Sequence, residues 1–272
     1  MTAPRTYLFV PGNRPERFAK ALASGADAVV LDLEDAVAAE AKSAARDAIA
    51  AWAATASAAD RQRTVVRINA ATAPGFADDL RLLRDGRLPG VLLAKAESAG
   101  QIAAVRAALP GAQVLALVES ACGVANVDAV AAAAGVTRLV FGTLDFALDL
   151  DLDISDLSDG LSFAASRLVL ASRIAGLAAP VAGVTPQIDD VARLLADLAW
   201  SRRHGLGAKL CIHPKQIAPI HAALAPSAQA LDWARRVLAA EAASPGAAQL
   251  DGRMIDRPVV LLAQRTLRQA PP

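Results

Sequence analysis

Residues 28–35 read Ala28-Val29-Val30-Leu31-Asp32-Leu33-Glu34-Asp35, an apolar run that ends in acidic residues. The apolar positions are nearly continuous rather than alternating, which is typical of a strand buried on both faces of a parallel sheet. An alanine-rich stretch with helical character follows at residues 36–54. The segment therefore predicts a β/α unit with acidic side chains at the C-terminal end of its strand.

The same unit recurs along the chain. Strands are predicted at residues 7–10, 28–33, 64–68, 91–94, 114–118, 138–141, 181–184 and 208–212. Helices are predicted at residues 15–24, 36–54, 75–85, 99–109, 124–134, 160–177, 188–204 and 214–223. Eight such units predict a (β/α)8 TIM barrel, which about 250 residues complete as one domain. An open doubly wound sheet is the alternative, but the glycine-rich nucleotide-binding motifs of that fold are absent.

The pattern changes after residue 224. A helix is predicted at residues 227–243, Ser244-Pro245-Gly246 interrupts it, and a last helix is predicted at residues 257–268. We therefore expect a catalytic barrel domain at residues 1–224 and a C-terminal helical arm or cap at residues 225–272.

Composition limits the function classes. The chain has 272 residues, 54% of them hydrophobic, and a formal charge of +1. This apolar fraction excludes disorder, and the balanced charge argues against a nucleic-acid or membrane-surface binder. No window approaches the ~18 apolar residues of a membrane-spanning helix, and the first residues lack a signal-peptide pattern. Cys122 and Cys211 form no disulfide framework or metal motif. We expect a cytoplasmic enzyme.

Charged residues stand at six of the eight predicted strand ends. They are Asp32, Glu34 and Asp35 after the second strand, Arg67 in the third, Lys95 and Glu97 after the fourth, Glu119 after the fifth, Asp145 beyond the sixth, and His213 with Lys215 after the eighth. The active site of a TIM barrel lies at this end of its strands. The pattern therefore indicates a polar mouth that binds an anionic, metal-bound ligand.

Glu119 and Asp145 are the candidate metal ligands. They lie one β/α unit apart, so they should stand on neighbouring strands, which are about 4.8 Å from each other. Carboxylate ligands with room for water and substrate favour Mg²⁺, with Mn²⁺ also possible. The alternative is that each carboxylate pairs locally with a lysine or an arginine.

Arg67 is a candidate substrate-binding residue, because it emerges from an apolar strand and arginine binds carboxylates in a bidentate manner. The alternative is a structural ion pair with Glu34 or Asp35, and both roles are compatible. Lys95 and Glu97 form either part of the site or a closed ion pair of their own.

Residues 11–20 join the first strand to a helix. Their cations and exposed amides are suited to phosphate groups, and an ordinary solvated turn is the alternative.

Several of these motifs also resemble the citrate lyase β-subunit-like family within the HpcH/HpaI aldolase superfamily. The resembling segments are residues 7–18 (YLFVPGNRPERF), 30–37 (VLDLEDAV), 65–69 (VVRIN), 116–120 (ALVES), 210–217 (LCIHPKQI) and 252–256 (GRMID). The resemblance runs in colinear order from residue 7 to about residue 268. It departs from the family pattern at Leu93-Ala94-Lys95, at Gly142-Thr143-Leu144-Asp145 and at Val184-Thr185-Pro186-Gln187.

The resemblance implies a Mg²⁺-dependent carbon–carbon lyase related to citryl-, malyl- and citramalyl-CoA lyases, acting as a homotrimer or hexamer. Such an enzyme cleaves or forms a 3-hydroxyacyl-CoA thioester and yields an acetyl-CoA-type product and a 2-oxo acid. The residues carried over are Glu119 and Asp145 for the metal, Arg67 for substrate, Asn13, Arg14 and Lys20 for CoA, and Asp256 as an acid–base group in a neighbouring subunit. We also expect Glu119 to contact substrate and Arg67 to act in catalysis. From the strand-end pattern, we expect Glu34, Asp35 and Lys95 to support these residues.

Three other possibilities stay open from sequence. The chain is alternatively a metal-dependent aldolase that releases pyruvate without CoA. It is alternatively a non-autonomous lyase subunit that acts on an acyl carrier protein thioester. Asp256 is alternatively only the N-cap of the helix that begins with Arg257-Pro258.

Overall fold

The structure is a computed structural model that describes residues 3–155, 159–244, 246 and 248–269. It contains two compact units, Met1–Ile220 and His221–Pro272. The two units meet within the helix Ile217–Leu224, and the boundary that we expected after residue 224 lies at the end of this helix.

The first unit is a closed barrel of eight parallel strands. They are β1 (Thr6–Pro11), β2 (Ala28–Asp32), β3 (Thr64–Ile68), β4 (Gly90–Leu93), β5 (Gln113–Val118), β6 (Val136–Phe141), β7 (Val181–Ala182) and β8 (Ala208–Cys211). Each strand pairs with its sequence neighbour, and β1 also pairs with β8, which closes the sheet. The predicted TIM barrel is confirmed.

Helices follow the strands on the outside. In chain order they are α1 (Phe18–Leu22), α2 (Lys42–Thr55), α3 (Ala58–Gln62), α4 (Phe76–Asp85), α5 (Ala99–Ala108), α6 (Ala121–Ala125), α7 (Val127–Ala132), α8 (Thr143–Asp149), α9 (Ser162–Ile174), α10 (Val191–Arg203), α11 (Ile217–Leu224), α12 (Ala228–Ala243) and α13 (Arg257–Arg268). In the described part of the chain, none of them has both the length and the apolar character needed to cross a bilayer.

The strands form because alternate residues are buried on opposite faces. One set, which includes Val30, Leu117 and Val140, packs in a cluster with contributions from all eight strands. Arg138 lies on the same face of β6 as Val140, and its guanidinium donates to the Pro4 carbonyl (2.6 Å) and the Tyr7 hydroxyl (3.2 Å). The barrel interior is therefore a packed apolar core, and the charged strand ends lie above it.

Some elements differ from the prediction. The predicted helix at residues 124–134 is two helices, α6 and α7, which meet at Asn126. Asn126 leaves the helical conformation, and its side chain donates to the Glu97 carbonyl at 3.0 Å. The sequence also did not predict the short helices α3 and α8, because neither is long enough to show a clear helical period.

The second unit has a small core of its own. Its buried residues are Ala234, Val237, Ala248, Ile255 and Ala263. A hairpin of β9 (Gln249–Leu250) and β10 (Arg253–Met254) connects α12 to α13. Both long helices begin with an N-cap. The Ser227 hydroxyl accepts a hydrogen bond from the Ala230 amide, and the Asp256 carboxylate accepts one from the Val259 amide.

Candidate active site

A buried ion pair forms the centre of the barrel mouth. Asp32, at the end of β2, accepts two hydrogen bonds from Arg67, with its Oδ1 2.6 Å from Nε and its Oδ2 2.5 Å from Nη2. The backbone amides of Glu34 and Ala36 donate to the same carboxylate, so its position is fixed by the turn that follows the strand. The Arg67 guanidinium also lies over the Phe9 ring, 5.0 Å from its centroid.

Glu34 and Asp35 extend this network. Arg67 Nη1 lies 2.8 Å from Glu34 Oε2 and 3.7 Å from Asp35 Oδ2. Burial lowers the pKa of Arg67, but these carboxylates and Asp32 outweigh it, so the net shift is upward and the group stays charged. Arg67 uses two N–H groups for Asp32 and one for Glu34, which leaves two of its five N–H groups for a ligand.

Lys95 borders the network on the side of β4. Its Nζ lies 3.4 Å from Glu34 Oε1, and its backbone φ is 49°, a left-handed conformation that is uncommon outside glycine. Desolvation lowers the pKa of Lys95, but the charges of Glu34 and Asp35 raise it by more. In this conformation, the backbone N–H of Lys95 donates a hydrogen bond to Glu119 Oε1 at 2.8 Å.

Glu119 follows directly after β5 and is only 4% exposed. Burial, the largest effect, and the negative charges of Asp145 and Glu34 together raise the pKa of Glu119 to about 8, although the hydrogen bond from the Lys95 amide and the charge of Arg67 lower it. The carboxylate is thus held by one backbone hydrogen bond at a place where negative charge is unfavourable unless a cation is near.

Asp145 lies in the first turn of α8 and is half-buried. The helix begins beside Glu119 because Gly142, which precedes it, has no side chain. A Cβ at Gly142 would lie 2.5 Å from Glu119 Cβ and 2.6 Å from Glu119 Oε2. This close approach brings Asp145 within electrostatic reach of Glu119.

The donor set fits a hard divalent cation. Among the residues that the structure describes, five carboxylates (Asp32, Glu34, Asp35, Glu119 and Asp145) share this network with the cationic side chains of Arg67 and Lys95. Within the described ranges, no group of three or more His, Cys, Asp or Glu side chains is arranged as a metal site. The chain's share would be Glu119 and Asp145, with water and substrate as further ligands, which is how Mg²⁺ is usually bound.

The comparisons with known proteins identify the family of the chain. The family model described as "HpcH/HpaI aldolase/citrate lyase" matches residues 5–214. The chain belongs to this family. A citrate lyase subunit beta-like protein of Mycobacterium tuberculosis is 39% identical over 97% of this chain and 94% of the relative. A (3S)-malyl-CoA thioesterase of Cereibacter sphaeroides is 31% identical over 98% of this chain and 94% of the relative.

Solved structures of the family resemble the whole chain. The crystal structure of CitE from Mycobacterium tuberculosis in complex with magnesium, acetoacetate and coenzyme A has a TM-score of 0.89 and 38% identity. The match covers 99% of this chain and 98% of that chain. The resemblance that the sequence motifs indicated is therefore confirmed.

Most of the predicted site residues lie in one connected network. Arg67, Glu34, Asp35, Lys95, Glu119 and Asp145 all belong to it. The ion pair that we weighed as an alternative for Arg67 is present, and its main partner is Asp32 rather than Glu34 or Asp35. The closed pair of Lys95 with Glu97 is wrong, because Lys95 contacts Glu34 while Glu97 accepts a hydrogen bond from the Ser120 hydroxyl at 2.5 Å.

The residues carried over for CoA lie on the surface after β1. Asn13, Arg14 and Lys20 are exposed, and Arg14 Nε pairs with Glu16 Oε1 at 2.7 Å. The preceding Gly12 donates its amide to the Asp32 carbonyl at 2.8 Å, so this loop starts beside the site. Asp256 lies in the second unit, where it caps α13 as its alternative interpretation predicted.

Sequence reasoning did not assign two important residues of this family member. Asp32 was grouped with the acidic strand end but given no role, although an acid that follows four buried apolar residues is itself a signal. Gly142 carries no chemical group, and only its distance from Glu119 shows why it is needed.

Proposed function

We propose that the chain is a Mg²⁺-dependent carbon–carbon lyase that cleaves or forms a 3-hydroxyacyl-CoA thioester. The products of cleavage are an acetyl-CoA-type thioester and a 2-oxo acid. The observation that carries the proposal is the buried Glu119 carboxylate, held by the Lys95 amide beside Asp145, with Arg67 in the same network. Magnesium and CoA in the related CitE structure, and pyruvate with magnesium in another, support this choice of ligands.

Each residue has a defined task in this proposal. Glu119 and Asp145 would hold the cation, which would supply Lewis-acid stabilisation of negative charge on the substrate. Arg67 uses its remaining N–H groups to bind the oxygen on which negative charge develops. Asp32 and Glu34 hold the guanidinium in place, so that it is positioned before substrate arrives.

The thioester end of the substrate is assigned to the loop after β1. Asn13, Arg14 and Lys20 are exposed there and would contact the phosphates of CoA. Asp256 would exchange the proton of the acetyl methyl group, acting in the site of a neighbouring subunit.

We also propose a cytoplasmic homo-oligomer, a trimer or a hexamer. The exposed face of α9 supports association, because Phe163, Leu170 and Ile174 are 71%, 52% and 76% exposed. These residues are spaced seven and then four positions apart, which places them on one side of the helix. Exposed apolar surface of this kind is typical of protein–protein contacts.

A thioesterase is the second candidate, because relatives 31% identical to this chain carry the name (3S)-malyl-CoA thioesterase. The two reactions differ in the bond that breaks. A lyase divides malyl-CoA into acetyl-CoA and glyoxylate, whereas a thioesterase hydrolyses it to malate and free CoA thiol.

The decisive experiment incubates the purified chain and Mg²⁺ with malyl-, citramalyl- and citryl-CoA and with 4-hydroxy-2-oxo acids. Release of a 2-oxo acid with an acyl-CoA supports the proposal, and release of free thiol with the hydroxy acid supports the thioesterase. Cleavage of the CoA-free acids alone would favour the aldolase. If an acyl carrier protein thioester is the one substrate cleaved, and only in a complex, the chain is a lyase subunit.

Glu119→Gln tests the carrying observation in the same assay. It keeps the size of the side chain and removes its charge, so turnover should fall by at least about 100-fold. Glu40→Gln, at an exposed position, is the matched control and should retain activity. Full activity of Glu119→Gln would contradict the proposal.

A further inference from the structure

A lysine is buried in the wall of the barrel. Ala208 and Leu210 of β8 face the interior core, so Lys209 between them points to the outer side of the sheet. Lys209 is only 2% exposed, and its Nζ donates to the Gly183 carbonyl at 2.5 Å. Burial lowers the pKa of Lys209 to about 8, which shows that the protein holds this charge at a cost.

An ion pair does not account for this lysine. Asp197 is the acid with the largest electrostatic effect on Lys209, but both oxygens of Asp197 accept hydrogen bonds from other groups. Oδ2 accepts from the Thr185 hydroxyl at 2.6 Å, and Oδ1 accepts from Arg193 Nε at 2.7 Å. In the part of the chain that the structure describes, the Lys209 side chain donates to the Gly183 carbonyl alone.

Lys209 also borders a small cavity. The cavity has a volume of about 50 Å³ and is lined by residues that include Thr143, Gly183 and Asp197. The contact that leads from Lys209 toward the candidate active site is its hydrogen bond to the Gly183 carbonyl.

Gly183 packs against Thr143, the first residue of α8. A Cβ at Gly183 would lie 2.2 Å from Thr143 Oγ1 and 3.1 Å from Thr143 Cβ, so the threonine side chain packs directly on the bare glycine. Thr143 is the first residue of α8, and Asp145 follows two positions later.

The start of α8 is thus fixed from two sides. Gly142 packs against Glu119, and Thr143 packs against Gly183, whose carbonyl Lys209 holds. The two contacts together determine where the first turn of α8 lies, and that turn carries Asp145.

We propose that Lys209 is a positioning residue for the cation site. By holding the Gly183 carbonyl, it keeps Thr143 seated and thereby sets the position of Asp145 relative to Glu119. This inference rests on the proposed function, because it takes Glu119 and Asp145 as the cation ligands.

Lys209→Met tests the inference in the full-length protein, since methionine keeps the apolar stem and removes the donor. Mg²⁺ affinity, measured by isothermal titration calorimetry, should fall about 10- to 100-fold, as is usual when a residue that orients a metal ligand is lost. The melting temperature without Mg²⁺ should stay the same or rise, because a buried charge is removed. Arg84→Met, at an exposed cation of α4, is the control and should bind Mg²⁺ as the wild type does.

A second pair of variants tests the contact that transmits the effect. Gly183→Ala should weaken Mg²⁺ binding to a similar extent, because its new methyl group collides with Thr143 Oγ1. Gly183→Ala combined with Thr143→Ala removes that oxygen and leaves the Phe141 carbonyl at 3.0 Å and the residue 143 Cβ at 3.1 Å, so part of the lost affinity should return. A loss of affinity that the second substitution does not relieve would overturn the proposed route.

Three results would overturn the role of Lys209. Wild-type Mg²⁺ affinity in Lys209→Met, while Glu119→Gln abolishes binding, rejects the positioning role and leaves the proposed function intact. A fall in affinity with a matching fall in melting temperature indicates a general folding defect instead. Undiminished Mg²⁺ binding by Glu119→Gln would overturn the cation site itself and this inference with it.

Discussion

The carboxyl group of Glu119 combines burial with negative neighbours. Burial, together with the negative charges of Asp145 and Glu34, raises its pKa to about 8. The folded protein without a cation therefore holds a proton on Glu119 that the unfolded chain releases near its ordinary pKa of 4.5. This group makes the cation-free protein less stable as the pH rises from about 4.5 to about 8.

The same shift predicts how cation binding depends on pH. Below pH 8 a cation must displace the proton of Glu119, so Mg²⁺ affinity should rise up to about tenfold per pH unit from pH 6 and level off above pH 8. Calorimetry in buffers of different ionisation enthalpy should detect close to one proton released per cation at pH 7. An affinity that does not change with pH, with no proton released, would contradict this account of Glu119.

At the scale of elements, the position of the helix α8 depends on two glycines, whose lack of a side chain lets neighbouring residues pack closely against them. Gly142 has a φ of −82°, which any residue can adopt, so the need for glycine there comes from the nearby Glu119. Gly183 likewise provides space for Thr143. The strand ends and the helix meet closely only because both positions lack a side chain.

Gly142→Ala should therefore move α8 away from Glu119. We expect a loss of stability of about 1–3 kcal/mol, which is typical of an added methyl group in a packed site, and a fall in Mg²⁺ affinity. Urea unfolding and calorimetry measure the two effects.

Gly100→Ala is the matched control for this change. Gly100 lies in α5, and only the Ser98 hydroxyl, at 3.8 Å, would be near its Cβ. Because alanine favours the helix, Gly100→Ala should raise stability by roughly 0.5–1 kcal/mol and leave Mg²⁺ affinity unchanged. An equal loss of affinity in both variants would refute the specific role of Gly142.

At the scale of the whole molecule, a substitution at Asp256 can test its proposed catalytic role separately from its role in capping α13. Its side chain caps α13 by accepting from the Val259 amide at 3.1 Å. Serine caps a helix about as well as aspartate but carries no charge. Asp256→Ser should keep the melting temperature and lose most of the lyase activity if the carboxylate takes part in the reaction.

Mixed oligomers test where Asp256 acts. If Asp256 acts in a neighbouring subunit's site, refolding Glu119→Gln and Asp256→Ser chains together produces some sites that combine an intact Glu119 with an intact Asp256. Activity should therefore reappear in the mixture, while light scattering gives the mass of a trimer or hexamer. An inactive mixture, or a monomer by light scattering, would contradict the shared site.

The sequence allowed prediction of the elements that have long, regular patterns. The strand Thr64–Ile68 and the helix Arg257–Arg268 have the predicted bounds, because each is a regular run with clear ends. The hairpin β9–β10 was missed although Asp251-Gly252, both with positive φ, is a common hairpin turn. Its strands of two residues each are too short to show an alternating pattern.

By itself, the sequence determined the barrel and the charged residues at its mouth. The reason is that strand burial and strand ends are local properties, which a single run such as residues 28–35 already displays. The tertiary structure decided the partners: Asp32 for Arg67, Glu34 for Lys95, and the bare Cα of Gly142 for Glu119. These contacts join residues 23 to 61 positions apart in the sequence. The contact between Gly142 and Glu119 also depends on a missing side chain. Only packing in three dimensions fixes such distances.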